Sequence, residues 1–182
     1  MSTLTLVERI QQLDRALVDL PHAFGGALAL AYYAEPRATV DIDVNIFVTT
    51  DRFAEVAERL TPLGIPADDD DVRLLVDRDG QARVLWDDVP VDMFFSYDPF
   101  HDAAAAARRT VPFASGSIPV LAAEHLIVCK VVFNRPKDWV DIDAILAAET
   151  SVDVAEILKW VTRLVGDDDA RYSRVVAVLV RR

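Results

Sequence analysis

Apolar residues recur at helical spacing along much of the chain and at strand spacing in one central stretch. Over residues 3–20 they fall on one helical face, at Leu6, Ile10, Leu13, Leu17 and Leu20. From residue 39 to 48 the alternation is strict. One face carries Val40, Ile42, Val44, Ile46 and Val48, and the other carries Thr39, Asp41, Asp43 and Asn45. The pattern therefore predicts an amphipathic first helix and a central strand with one apolar face.

The other predicted elements follow from the same periods and from turn residues. We predict strands over residues 22–24, 72–76, 81–86, 91–95 and 118–120, and helices over 27–33, 51–63, 99–108, 122–150 (interrupted near Pro136), 152–165 and 168–179. Asp77-Arg78-Asp79-Gly80 indicates a hairpin between the third and fourth predicted elements of the sheet. The order predicts an α+β fold, with a mixed sheet flanked by helices in residues 1–120 and a helical part in residues 121–182, packed as a single unit.

Composition narrows the class of protein. The hydrophobic fraction of 52% and charged fraction of 27% are typical of a globular protein in water, and no apolar run reaches membrane-spanning length. We expect no signal peptide and no membrane partner. The single Cys129 excludes an internal disulfide and fits a reducing cytoplasm.

The formal net charge of −11 disfavours non-specific nucleic-acid binding. Basic residues nevertheless gather locally, at Arg108, Arg109, Lys130 to Lys137, Arg171, Arg174, Arg181 and Arg182. Two interpretations stay open, namely RNA on a basic face or a basic protein partner on the acidic one.

Asp41 and Asp43 are the strongest candidates for chemistry. They share one face of a strand, where two carboxylates repel each other unless a cation lies between them. The alternative is an ordinary solvent-facing strand edge. Asp92 interrupts an apolar strand and is either a third carboxylate or a residue at a hairpin end. Three aspartates on neighbouring strands can hold two Mg²⁺ ions about 4 Å apart.

A phosphate site is indicated just before this strand. Gly25-Gly26 precedes a predicted helix, whose N-terminal N–H groups favour an anion, although a glycine pair alone marks any tight turn. Thr39 can hydrogen-bond a phosphate or a metal-bound water, or it reflects ordinary strand propensity.

A second cluster comprises Lys130, Arg135, Lys137, Asp138 and Asp141. Lys130 either binds a triphosphate as a point charge or extends its buried stem to solvent. Arg135 and Lys137, at the break in the helix, either join the triphosphate site or form a charged turn between helices. Asp138 and Asp141 either cap the next helix or pair with Lys130 and Arg135. Cys129, which has no paired histidine pattern, fits the core better than a nucleophile's position.

Together these residues resemble a known family. Gly25-Gly26, the run Arg37-x-Thr39-x-Asp41-x-Asp43, and the later Asp92 resemble the nucleotidyltransferase fold of the DNA polymerase beta superfamily. The stretch from Ile118 through Lys130 to Asp141 is similar to the AbiEii/MenT-like nucleotidyltransferases, which are toxins of type IV toxin–antitoxin systems.

The resemblance implies a magnesium-dependent transfer of a nucleotide from an NTP, in some members to the 3′ end of tRNA. Asp41, Asp43 and Asp92 would bind metal, and Gly25, Gly26, Thr39, Lys130, Arg135 and Lys137 would bind the nucleotide. Asp138 would orient Lys130, and a cognate antitoxin would exist.

One departure and two rival functions accompany this expectation. Many superfamily members carry Ser in the glycine turn, where this chain has Gly26 followed by Ala27. The rivals are nucleotide transfer to a small molecule or a protein, and a non-catalytic binding module that kept the fold.

Overall fold

Six strands form one mixed sheet in the computed structural model, which describes residues 4–148 and 151–181. The strands are β1 His22–Phe24, β2 Ile42–Thr49, β3 Gln81–Trp86, β4 Val89–Ser96, β5 Arg109–Phe113 and β6 Gly116–Val120. Their order is β3-β4-β2-β1-β6-β5. Strand β2 runs parallel to β4 and antiparallel to β1, β1 runs parallel to β6, and the two outer pairs are antiparallel. The predicted α+β fold with a mixed sheet is confirmed.

The helices flank this sheet and dominate the C-terminal third of the chain. In the described residues they are α1 Leu6–Ala16, α2 Gly26–Leu30, α3 Phe53–Leu60, α4 Asp70–Asp79, α5 Pro99–Ala107, α6 Ala123–Phe133, α7 Pro136–Ala147, α8 Val154–Val165 and α9 Ala170–Val180. Helix α6 packs against α2, α7, α8 and α9. None of the described helices has the length and apolar character needed to cross a membrane. The division of the chain at residue 120 stays a prediction.

Strand β2 supplies the central layer of the core, as its alternation predicts. Its Ile42, Val44, Ile46 and Val48 are each at most 4% exposed. The prediction that the strand begins by residue 39 is wrong, because β2 begins at Ile42, just after the Asp41 amide donates to the Thr39 hydroxyl at 3.2 Å. Asp41 therefore lies at the entrance to the strand.

The predicted strand over residues 72–76 is wrong, because this stretch belongs to helix α4. The Asp69 side chain accepts a hydrogen bond from the Asp71 amide and caps the helix, and Val72 and Val76 bury one face at i, i+4 spacing. Gly80 ends the helix at φ 67°, a conformation that glycine adopts readily. An Asp-Gly pair is compatible with a helix C-terminus and with a hairpin turn, and here it ends helix α4.

The observed hairpins lie elsewhere. Asp87 at φ 54° turns the chain between β3 and β4, and Ala114 at φ 49° turns it between β5 and β6. Strand β5 was not predicted, because its residues show little alternation of apolar and polar side chains. Only the segment that pairs with it, residues 118–120, was predicted to be extended. Other predicted boundaries shift by a few residues, and the predicted positions 3, 149, 150 and 182 lie outside the described residues.

Arg9 ties helix α1 to the turn after β3. Its side chain is 1% exposed, donates to the Trp86 carbonyl at 3.1 Å and to the Asp87 carboxylate at 2.9 Å, and lies over the Trp86 ring at 5.0 Å. A buried guanidinium is costly unless its hydrogen bonds are made, and here Nε alone lacks a partner within the described chain. These contacts therefore help to dock α1, together with its buried Ile10 and Leu13.

We predict that Arg9→Ala lowers the free energy of unfolding by about 3 kcal/mol, because it leaves a buried carbonyl without its donor and opens a cavity. Chemical denaturation measures this loss. Arg15→Ala, on the exposed side of the same helix, is the matched control. Equal stability of the two variants would contradict the role given to Arg9.

Candidate active site

Three carboxylates meet at the start of the two central parallel strands. Asp43 on β2 is directly opposite Asp92 on β4, and Asp41 precedes Asp43 by two residues. Parallel strands place their corresponding ends at one edge of a sheet, which is where these side chains lie. The three predicted metal ligands are therefore neighbours.

The Gly25-Gly26 turn lies against Asp43. The Gly25 amide donates to the Asp43 carbonyl at 2.9 Å. Gly26 has φ +52°, and a Cβ on it would lie 1.8 Å from the Asp43 carboxylate oxygen Oδ2. Only glycine satisfies both the backbone angle and the close approach. The turn is specified by its contact with the carboxylate.

Lys130 of α6 reaches this region from the helical side. It is 4% exposed, and its Nζ donates to Asp141 Oδ2 at 2.6 Å, while Asp138 Oδ1 is 4.0 Å away. Arg37 donates to both oxygens of Asp141, at 3.1 and 3.0 Å. Burial alone raises the pKa of Asp141, but the hydrogen bonds from Arg37 and Lys130 outweigh it and hold the pKa below its usual range. Asp141, rather than the predicted Asp138, is thus the direct partner of Lys130.

Asp138 organises the start of α7. It is fully buried, and it accepts from the Arg135 amide at 2.9 Å and from the Arg135 guanidinium at 2.7 and 3.0 Å. The hydrogen bond from the Arg135 side chain to Asp138 raises the pKa of Arg135, which also lies over the Phe133 ring at 4.9 Å. Asp138 takes both of the roles considered for it, because it caps helix α7 and pairs with Arg135, which it fixes at the edge of the site.

Arg83 was not singled out from the sequence. It lies on β3 beside Asp92 and donates to both of its carboxylate oxygens, at 2.7 and 2.6 Å. Its Nη2 is also 3.6 Å from Asp41 Oδ2. The register of the β3–β4 hairpin would have identified Arg83 as the neighbour of Asp92. That register can be read from the sequence only if the turn at Asp87 is recognised first.

Two of the clefts that Asp43 lines also border the glycine turn. One has a volume of about 340 Å³ and is lined by polar and charged side chains, among them Arg37, Thr39, Asp41, Arg83, Asp92, Lys130, Arg135 and Lys137. The other has a volume of about 270 Å³, and its wall is largely apolar, with Phe94, Tyr97, Phe100, Cys129 and Phe133 beside Gly25 and Gly26.

Lys137 is exposed and has no anionic partner among the described residues. The remaining predicted basic residues, Arg108, Arg109, Arg171, Arg174 and Arg181, do not line these clefts in the described chain.

Comparison with known proteins identifies the family. Residues 10–178 match the family model described as "Nucleotidyl transferase AbiEii toxin, Type IV TA system". The chain belongs to this family. It is therefore a nucleotidyltransferase, as the resemblance implied. No curated protein matches the chain.

Solved structures share the AbiEii chain's fold. A solution structure of the antibiotic-resistance factor ANT(2'')-Ia has a TM-score of 0.60 at 17% identity and covers 97% of each chain. A crystal structure of ANT(2'')-Ia with adenylyl-2''-tobramycin has a TM-score of 0.59 at 18% identity, covering 94% of this chain and 99% of the other. A nucleotidyltransferase-like protein from Paracoccidioides brasiliensis has a TM-score of 0.53 at 16% identity, covering 96% and 90%. Similarity at this identity establishes the fold alone.

The carboxylate cluster of this AbiEii-family chain has the donor chemistry that Mg²⁺ prefers. Burial, and then repulsion by Asp92 and Asp41, raise the pKa of Asp43 despite the nearby Arg135 and Lys130. The negative charge at Asp43 is thus incompletely offset by the protein. In this conformation no three His, Cys, Asp or Glu side chains of residues 4–148 and 151–181 enclose a metal position. Both carboxylate oxygens of Asp92 accept hydrogen bonds from Arg83. The assignment of Asp41, Asp43 and Asp92 as metal ligands stays a prediction.

Cys129 lines the apolar cleft as a thiol. Burial raises its pKa to about 12, so it is not ionised near neutral pH. This agrees with its interpretation as a core residue.

We predict that Gly26→Ala lowers the free energy of unfolding by about 2 kcal/mol or more, because a Cβ at positive φ would strain the turn and collide with Asp43. Chemical denaturation tests this. Gly116→Ala is the control, since an added Cβ there meets no atom within 4 Å. A loss no larger than that of the control would contradict the close approach.

We predict that Asp43→Asn stabilises the metal-free protein at pH 7 by about 1 kcal/mol, because it removes a buried charge that Asp92 and Asp41 repel. A raised pKa in the folded state means that the wild type loses stability as the pH rises through it. The gain should therefore vanish near pH 3, where the carboxyl is protonated in both states.

Thermal and chemical unfolding of metal-free samples across pH measure this difference. Asp143→Asn, on an exposed position of α7, is the matched control. A variant less stable than wild type at pH 7 would contradict the repulsion.

Proposed function

We propose that the chain is a magnesium-dependent nucleotidyltransferase that adds a nucleotide from an NTP to the 3′ end of tRNA, as the toxin of a type IV toxin–antitoxin system. One observation carries this proposal. The carboxylates of Asp41, Asp43 and Asp92 face the cations of Lys130, Arg135 and Lys137 across one cleft bordered by the glycine turn. Such a cleft suits a triphosphate bound together with a divalent cation.

The residues divide into two sets in this proposal. Asp41, Asp43 and Asp92 would hold Mg²⁺, which when bound neutralises charge on the triphosphate and the leaving pyrophosphate. The backbone amide of Gly26 would contact a phosphate oxygen, whereas the amide of Gly25 donates to the Asp43 carbonyl and shapes the turn. Lys130, positioned by Asp141, and Arg135, positioned by Asp138, would bind the triphosphate on the opposite side. Exposed Lys137 would bind an outer phosphate or the acceptor strand.

The reaction moves one nucleotidyl group. The acceptor hydroxyl oxygen forms a bond to the α-phosphorus, the bond from that phosphorus to the pyrophosphate oxygen breaks, and the hydroxyl proton leaves. Asp92 is the carboxylate we assign to accept that proton, since it lies directly opposite Asp43 and lines the same polar cleft. The positive side chains stabilise the charge that gathers on the equatorial and leaving oxygens.

An RNA acceptor is favoured by the exposed cations of the polar cleft. The side chains of Arg83 and Arg135 are 56% and 49% exposed, so an incoming phosphate backbone can reach them. These two cations are paired with Asp92 and Asp138, and their exposed faces can attract a phosphate backbone although the whole chain is negative. An enzyme that uses NTP and tRNA would act in the cytoplasm, and the toxin family implies an antitoxin partner.

The second candidate is transfer to a small molecule. The apolar cleft beside Asp43, at about 270 Å³ and with aromatic walls, could enclose a compact acceptor instead of a nucleobase. One solved relative in fold is bound to an adenylylated tobramycin.

The test is incubation of the purified protein with Mg²⁺, total tRNA and each NTP in turn, labelled at the α-phosphate. We expect label at the 3′ end of tRNA with wild type and a loss of about 1,000-fold or more with Asp41→Asn, as expected when a metal-binding group is removed. Asp51→Asn, an exposed acid beyond the far end of β2, controls for loss of charge.

Each outcome separates the candidates. Label in tRNA that depends on Asp41 supports the tRNA proposal and identifies the base. In a parallel incubation that offers an aminoglycoside in place of tRNA, label in the aminoglycoside together with no label in RNA would replace it with the small-molecule activity. Equal labelling by wild type and Asp41→Asn would contradict the assigned site.

A further inference from the structure

Arg83 joins the outer strand β3 to the carboxylate cluster. Across the sheet, Arg83 pairs with Asp92 and Asp92 pairs with Asp43, so the three side chains stand in one row. Alternation along β3 buries Ala82 and Val84 and directs Arg83 to the opposite, solvent-facing side. The register of the sheet therefore sets the guanidinium beside the acids.

The guanidinium occupies the oxygen atoms that a metal ion would need. It donates to both carboxylate oxygens of Asp92, and its Nη2 lies 2.6 Å from Asp92 Oδ2 and 3.6 Å from Asp41 Oδ2. A paired guanidinium and a divalent cation cannot use the same lone pairs of one carboxylate. The ion pair between Arg83 and Asp92 therefore weakens metal binding at Asp92, and a bound metal ion weakens the ion pair.

Three of the other cations near the cluster are committed elsewhere, and exposed Lys137 makes no ion pair with its acids among the described residues. Lys130 and Arg37 are hydrogen-bonded to Asp141, and Arg135 is hydrogen-bonded to Asp138. Among the described residues, Arg83 is thus the side chain that pairs directly with Asp92 and approaches Asp41.

We propose that Arg83 is an internal counter-cation that holds the metal site closed until a divalent ion displaces it from Asp92. The inference rests on the proposed role of Mg²⁺ at these carboxylates. Displacement is sterically open, because the Arg83 side chain is 56% exposed and can rotate into water, whereas the Asp92 side chain is only 16% exposed and stays in place. The result is a two-state site, with Arg83 paired at low metal concentration and released at high metal concentration.

The test is Mn²⁺ binding in the absence of nucleotide, followed by the electron paramagnetic resonance signal of the free ion. Arg83→Gln removes the competing charge and keeps a polar side chain. We expect it to bind Mn²⁺ at least about fivefold more tightly than wild type, the scale of one charge-assisted ion pair. Arg83→Lys keeps the charge but cannot pair with both oxygens, and its affinity should lie between the two.

The control is Arg52→Gln, which breaks the Arg52–Glu55 pair, an exposed ion pair of similar length away from the site. Its Mn²⁺ affinity should equal that of wild type. Affinity of Arg83→Gln equal to or weaker than wild type would overturn the inference while leaving the metal site in place. Failure of every variant, wild type included, to bind Mn²⁺ would overturn the metal assignment itself and the inference with it.

Thermal unfolding gives a second readout. Without metal, Arg83→Gln should melt below wild type, because the carboxylates lose their counter-cation. Added Mn²⁺ should raise its melting temperature more than that of wild type. An equal metal-induced rise in both proteins would contradict the competition, and circular dichroism establishes that each variant is folded.

Discussion

Negative charge held at Asp43 is the constraint on which the rest of the site depends. The carboxylate is partly withdrawn from water, its pKa is raised by burial and by Asp92 and Asp41, and the backbone of Gly26 presses against it. Ionisation there costs stability, and a protein keeps such an arrangement where function uses it. The surrounding cations and the glycine turn are arranged about this one side chain.

The helical part contributes by fixing cations at defined positions around that charge. Asp141 holds Lys130 and Arg37 together, which joins α6, α7 and the segment before β2 in one ion network. Asp138 fixes the guanidinium of Arg135, three residues before it, at the start of α7. Buried acids that pair with cations in this way orient donors more than they stabilise the fold. Two ion networks thus position the nucleotide-binding residues that the family implies.

The sequence predicts the parts of the site that depend on local pattern. The strand alternation around Asp41 and Asp43, the glycine turn and the helix break before α7 are all visible as periods or turn residues. The Arg83–Asp92 pair could not be predicted, because it depends on a hairpin register that the Asp79-Gly80 signal misplaced. The direct partner of Lys130 also escaped, since the choice between Asp138 and Asp141 depends on how α7 is rotated against α6.

In the proposed site, metal and triphosphate meet at Asp41 and Asp43, between the glycine turn and Lys130. Crystals grown with Mn²⁺ and a non-hydrolysable NTP analogue test this placement through anomalous scattering from the metal. We expect anomalous density between the triphosphate and the carboxylates of Asp41 and Asp43, with Lys130 Nζ on the phosphates. Density for the analogue or the metal away from this cleft would show that the site lies elsewhere.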